Sequence, residues 1–298
     1  MKYLVLFFSS LFFAQQNVNK AQKNIFLAEY YEITDLEKAF SYYQKAFELN
    51  PYEFKTYMPQ FTKICLKLNK ESILKKEIYR ASSVYLFSAD HFKSDRMKPF
   101  YDKQPIKEIL SDDIEKLQKI YYTNAENYAK IEYEKKIIKI DAIDQFVRKK
   151  RPIDWGYIEK SDSLNITQLI ELTKHYGWHE GAEIILWHQR DSYDEPNFVW
   201  NYFIPFFNQQ IKKDLIRKDY LLKYEKNMCF VQKITYKYDY FPPLDRLYTL
   251  EDIHNIDKYR KTVGLPPLYF NKHIMPEYVL PKGYEYDHVN LLKDLLEL

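Results

Sequence analysis

Residues 35–51 read DLEKAFSYYQKAFELNP, and their spacing decides the fold class. Apolar or small side chains recur at Leu36, Ala39, Phe40, Tyr43, Ala46 and Phe47, the three-four rhythm of a helix with one buried face. Thr34 and Asp35, followed by Glu37 and Lys38, supply a polar helix start. Upstream, NIFLAEYYEI from Asn24 is helical as well, so two antiparallel helices are expected. Downstream, PYEFKTYMPQFTKICLKLN and KESILKKEIYRASSVYLFS continue the helical pattern, with Pro59 interrupting the first. The expectation is an all-α protein: helical hairpins followed by a second helical domain.

The spacing resembles the tetratricopeptide (TPR) repeat. Tyr30, Ala39, Tyr43, Ala46 and Pro51 stand where that motif places an aromatic, a small residue, an aromatic, a small residue and the closing proline. Alanines at 39 and 46 let two backbones approach closely while Tyr30 and Tyr43 fill the flanking gaps. Pro51 suits the start of the next helix, where a missing N–H costs nothing. The match covers about one repeat, and a single repeat cannot bury its own face, so the following helices must stack on it. Repeats of this kind imply protein or peptide binding; the other reading is a helical hairpin used only for packing.

Composition narrows the functional classes. With 298 residues, 46% hydrophobic and 29% charged, the chain is long enough for two domains, and 29 tyrosines with 20 phenylalanines mark a folded protein. The 45 basic and 42 acidic residues give a charge of +3, too little for a field that draws phosphate backbones, so nucleic acid is not an expected partner. None of the 5 glycines forms a GxGxxG or P-loop pattern, so no nucleotide cofactor is expected. Residues 1–14, MKYLVLFFSSLFFA, place one lysine before a short apolar run that ends on a small residue, the pattern of a signal peptide. An exported protein, periplasmic or secreted, is expected, with no transmembrane segment after removal of the signal. Export permits a disulfide between Cys65 and Cys229, whereas their apolar surroundings, KICLKL and NMCFV, favour buried thiols.

The charged and proline-bearing FKSDRMKPFYDKQP, from Phe92, reads as a boundary between a repeat-like region at 20–108 and a second helical domain at 109–268. Asp112-Asp113-Ile114-Glu115 resembles a capping box. Beyond it, Leu117, Ile120, Tyr121, Tyr128 and Ile131, then Ile137, Ile140, Ile143 and Val147, give the apolar stripe of one long helix or two consecutive ones. Residues 269–298 combine prolines and tyrosines without period, an extended tail ending in the short amphipathic helix NLLKDLLEL.

Leu172–Asp191, LTKHYGWHEGAEIILWHQRD, concentrates candidate chemistry. His175 and His179 have the spacing of a helical zinc pair, but Gly177 between them ends the helix, and no HExxH or cysteine pair supports them, so no metal is expected. His188 and Asp191 are three apart and share a face if GAEIILWHQRD is one helix, so the carboxylate can orient the imidazole. Ile184, Ile185 and Trp187 place the same histidine on a buried surface, where it serves the core instead. Asp144 and Arg148, four apart, are either part of such a site or a surface ion pair. NFVWNYFIPFFNQQ, with Phe198, Tyr202 and Phe206, reads as a helix packed over this stretch, kinked at Pro205.

Asp144-Gln145, Arg148, Asp162, Asn165, Leu169, Gly177-Trp178, His188, and then Arg260 with GLPPL at Gly264 to Leu268 follow an order that resembles the bacterial domain-of-unknown-function family DUF6624. The likeness spans about residues 140–268 and implies an all-helical domain with no assigned activity. Where that family carries an Asp-Arg pair and then a glutamine before Tyr-Gly-Thr-Gln, this chain has Glu225-Lys226 and Gln232 in QKITYKY, a departure that implies a degenerate or binding-only member. The functional expectation is a protein- or peptide-binding scaffold module of the bacterial cell envelope. The alternative is a hydrolase-like enzyme using His188 with a nearby carboxylate.

Overall fold

A computed structural model describes residues 17–84, 116, 119, 121–123, 128–240, 242 and 247–298, among which every regular element is helical. The signal-like residues 1–14, the stretch from Phe92 and the Asp112 capping sequence lie outside the described residues. The chain forms two compact units. The first comprises the described residues of 1–124 together with 210–220 and 235–298; the second comprises those of 125–209 and 221–234.

The first unit begins with four consecutive helices, α1 (Val18–Tyr31), α2 (Leu36–Leu49), α3 (Glu53–Lys67) and α4 (Glu71–Val84), each packed on the next through a short turn. Asp35 caps α2 by accepting a hydrogen bond from the Lys38 backbone N–H, which satisfies one of the donors a helix start leaves unpaired. Ala39, Tyr43 and Ala46 are fully buried. Phe47, Phe54 and Phe61 meet edge to face across α2 and α3, with centroids 5.1–6.1 Å apart. Three expectations change. Tyr30 is half-buried and stacks on His273, away from the α2 seam. Pro51 sits in the turn before α3, whose first residue is Glu53. Helix α3 runs through Pro59, held by Met58, Phe61 and Thr62, which are buried around it.

Later chain returns to complete this unit. Asn19 and Gln22 on α1 hold residues 214–219: Asn19 N–H donates to Asp214 (3.2 Å), Lys218 N–H donates to the Asn19 side chain (3.1 Å), and Gln22 donates to Asp219 (3.2 Å). Asp219 in turn takes both ends of the Arg217 guanidinium at 2.9 and 2.6 Å. Helices α10 (Leu250–Thr262), α11 (Tyr269–Ile274) and α12 (Leu291–Glu297) follow, and Phe270, Leu291 and Leu295 form a second core with Phe26 and Leu27 of α1. The linear division at 108/109 and 268/269 is therefore replaced by an interleaved one, because the other face of α1 is apolar and is covered by residues from the far end of the sequence. The expected extended tail is likewise helical at Tyr269–Ile274.

The second unit contains α5 (Tyr128–Lys149), α6 (Trp155–Tyr176), α7 (Glu183–Trp187), most of α8 (Phe198–Lys212) and α9 (Leu222–Gln232). Gly177 closes α6 with φ of 82°, a left-handed value that favours glycine, and its carbonyl accepts from Tyr133 Oη at 3.0 Å. Trp178 then packs edge-on against Phe203 and Phe207 of α8. The apolar stripe of α5 departs from expectation at one position, and that of α8 shifts by one residue. On α5 the buried positions are Ile131, Tyr133, Ile137, Ile140, Asp144 and Val147, whereas Ile143 is exposed. On α8 they are Val199, Trp200, Phe203 and Phe207, whereas Phe198 is exposed and Tyr202 stacks on Phe206 beside the core. Cys65 and Cys229 are both buried, and burial pushes the Cys65 thiol up to about 12.

Two predictions follow from the first unit. Ala39→Glu or Ala46→Glu puts a carboxylate at a position with no room and no water, and each should lower unfolding free energy by at least about 3 kcal/mol, read by chemical denaturation. Glu29 on α1 is pushed up to about 7, first by burial and then by the Glu32 and Glu53 carboxylates, against the Arg217 guanidinium. A carboxyl raised from its ordinary 4.5 contributes stability that is fully present below 4.5 and is lost as pH rises through about 7. Glu29→Gln should therefore gain stability relative to the unsubstituted protein between about pH 5 and about pH 8, measured by denaturant midpoints at the two values.

Candidate functional site

The inward register of α5 sets an aspartate into the interior of the second unit. Asp144 is 1% exposed, and three hydrogen bonds meet its carboxylate. Oδ1 accepts from Arg148 Nη1 at 2.6 Å and faces His188 Nδ1 at 3.0 Å, and Oδ2 accepts from Gln145 Nε2 at 3.1 Å. Arg148, one turn further along α5, also gives Nη2 to both oxygens of Asp162 on α6, each at 2.8 Å. A single guanidinium thus spans two carboxylates, the planar fork suited to such pairing.

His188 is delivered by the short helix α7. Ile185 and Leu186 anchor that helix in the core, and the His188 backbone N–H closes it on the Ile184 carbonyl at 3.2 Å. The next residue is fixed too: the Gln189 carbonyl accepts from buried Trp200 Nε1 at 3.1 Å. The imidazole therefore enters the cluster from a pinned backbone. Its side chain keeps 15% exposure.

Several sequence expectations are redrawn here. His188 is oriented by Asp144 and not by Asp191. The segment GAEIILWHQRD is broken into a 3-10 turn (Glu180–Ala182), α7 and a second 3-10 turn (Arg190–Ser192), which removes the shared helical face. Asp191 is exposed and accepts from Asn227 at 3.0 Å. The Asp144 and Arg148 pair is not a surface ion pair, since it closes inside the unit. The three histidines of the tryptophan-bearing stretch do not converge. His175 meets the Tyr176 ring, and His179 lies 3.4 Å from Glu134 and accepts the Gly181 N–H.

Among the residues of the family-like order, Asp144, Gln145, Arg148, Asp162 and His188 come together. Asn165 and Leu169 are buried on α6, and Gly177 is its cap. Arg260 serves packing in the first unit, donating to the Pro266 carbonyl at 2.6 Å and the Tyr238 carbonyl at 2.8 Å. Gln232 donates to Asp194. Asp162 was not a candidate from spacing, although its place beside the inward face of Ser161 and Asn165 offered the signal.

One oxygen each of Asp144 and Asp162 and one imidazole nitrogen of His188 lie within 4.8 Å of one another, a donor set of the kind that holds a divalent cation. Here the Arg148 guanidinium bonds both carboxylates, and its charge competes with a cation for the same oxygens. Asp141, one turn before Asp144, has its carboxyl raised by burial first and by the Asp144 charge second, with His188 acting in the opposite direction. Comparison with protein-family models, curated proteins and solved structures finds no match to this chain.

Removing the fork leaves Asp144 buried with an uncompensated charge. Arg148→Ala should destabilise the protein by about 3–5 kcal/mol in chemical denaturation, and Arg148→Lys should recover only part of that because an ammonium cannot bond both carboxylates in one plane.

Proposed function

We propose that the second unit carries a general acid–base site centred on His188, the hydrolase-like reading of the sequence. The observation that supports it is the 3.0 Å approach of His188 Nδ1 to a buried carboxylate whose other contacts are all donors. An ionised carboxylate only accepts, so Nδ1 carries the proton and Nε2 presents its lone pair. Among the described residues Nε2 takes part in no hydrogen bond, and the side chain is partly open to solvent. In such an arrangement Nε2 withdraws a proton from a water or hydroxyl nucleophile and returns it to the leaving group. Asp144 and Asp162 against Arg148 leave the cluster with one excess negative charge, and the imidazolium formed in the step balances it.

In the same reading the first unit is the recognition element, the protein- or peptide-binding scaffold of an envelope protein. Full burial of Ala39 and Ala46 between stacked helices supports the tetratricopeptide-like assignment. The likeness to the DUF6624 order supports treating Asp144, Arg148, Asp162 and His188 as one functional group.

Nitrogen-15 NMR of the histidine side chains tests the site without a substrate. His188 should populate the Nδ1–H tautomer, and an Nε2–H tautomer would remove the base. In a screen of ester, amide, phosphoester and glycoside substrates, His188→Gln should lower turnover by about 10²–10⁴-fold while the protein stays folded. Unchanged turnover in that variant would refute the proposal.

A further inference from the structure

The end of the α5–α6 hairpin exposes what most protein surfaces hide. Every residue from Lys149 to Tyr157 is exposed, and the run carries Ile153, Trp155 and Tyr157 at 42%, 67% and 48% exposure. Phe146, on the last turn of α5, is 68% exposed and lies three residues before Lys149, so it shares that residue's face of the helix.

The surface is continuous. Lys150 Nζ lies 5.8 Å from the centre of the Tyr157 ring, joining the end of α5 to the start of α6. Arg151 folds back to donate to the carbonyls of Arg148 and Lys150 at 2.8 and 3.0 Å, which fixes the turn between the two helices. Asp154 caps α6 by accepting the Tyr157 N–H at 3.0 Å, so its charge is directed at the helix start.

We infer that this hairpin end docks on the surface of an anionic phospholipid bilayer. Lys149, Lys150 and Arg151 form an unbroken basic run at the end of α5, and Asp154, the acid within the exposed run, is committed to the helix cap. That charge complements phosphate headgroups. Tryptophan and tyrosine, each with an apolar body and a polar edge, favour the level of those headgroups, and Phe146 and Ile153 supply apolar depth beside them. No helix among the described residues is long and apolar enough to cross a membrane, so the contact is peripheral. The inference is independent of the His188 chemistry.

Co-sedimentation of the full chain with vesicles of phosphatidylcholine containing phosphatidylglycerol, and with vesicles of phosphatidylcholine alone, provides the test. Binding should require the anionic lipid and weaken as salt is raised. Reversing both Lys149 and Lys150 to Glu should weaken it by about thirtyfold, and Trp155→Ser by about tenfold. Both variants should melt as the unsubstituted protein does, because the altered side chains are exposed. Equal binding to both vesicle types, or equal binding by Trp155→Ser, overturns the inference. So does a dimer in sedimentation velocity that Trp155→Ser dissociates, which would assign the patch to a second copy. Absence of vesicle binding alongside polyglutamate binding with the same sensitivity to the lysine reversals would assign it to an acidic protein partner.

Discussion

A guanidinium held between two carboxylates, one of them all but removed from water, fixes three segments of the second unit at once. Burying Asp144 costs several kcal/mol in lost hydration, and its attraction to Arg148 offsets that only if the geometry is good and the remaining oxygen sites are filled. Both conditions hold: the contact is 2.6 Å long, and Gln145 and His188 take up the rest of the carboxylate. The second end of Arg148 then sets the register of α6 against α5 through Asp162. An apolar trio of similar size would give comparable stability. It would not hold a histidine at a chosen angle with one ring nitrogen left over.

The first unit is held by different means. Its core is a stack of aromatic rings with small residues where backbones meet, so its stability comes from buried area and close packing. Polar ties add to it: where residues 214–219 lie along α1 an Asp–Arg–Gln chain is satisfied, and Glu29 is set among the Glu32 and Glu53 carboxylates and the Arg217 guanidinium. One unit therefore uses charge to place a histidine, and the other rests mainly on packed rings.

How much of this could be read from the letters depends on which forces are local. Helical class, the Asp35 cap and the Gly177 stop were legible, because each is decided within one turn of chain. The stripe on α5 was legible except at one place. Counting only apolar letters put Ile143 inside, whereas the 3.6-residue period running through 133, 137, 140 and 147 calls for residue 144, a polar position that hydrophobicity rejects and Arg148 makes acceptable. Of the candidate site, Asp144, Arg148 and His188 were legible, but spacing pointed to Asp191 as the carboxylate beside His188. The His188 and Asp191 pairing assumed a single helix, and two 3-10 turns broke it. The Asp144–His188 contact joins residues 44 apart through tertiary packing, which spacing cannot express. The interleaving of the first unit was hidden for the same reason.

That interleaving bears on how the protein is made. Phe26 and Leu27 are made well before Leu291 and Leu295, side chains that cover them, and the Lys23 to Leu296 contact spans 273 positions. Until those residues join it, that flank of α1 leaves phenylalanine and leucine uncovered. Closing so long a loop is slow, and until it closes the apolar flank is open to wrong pairings.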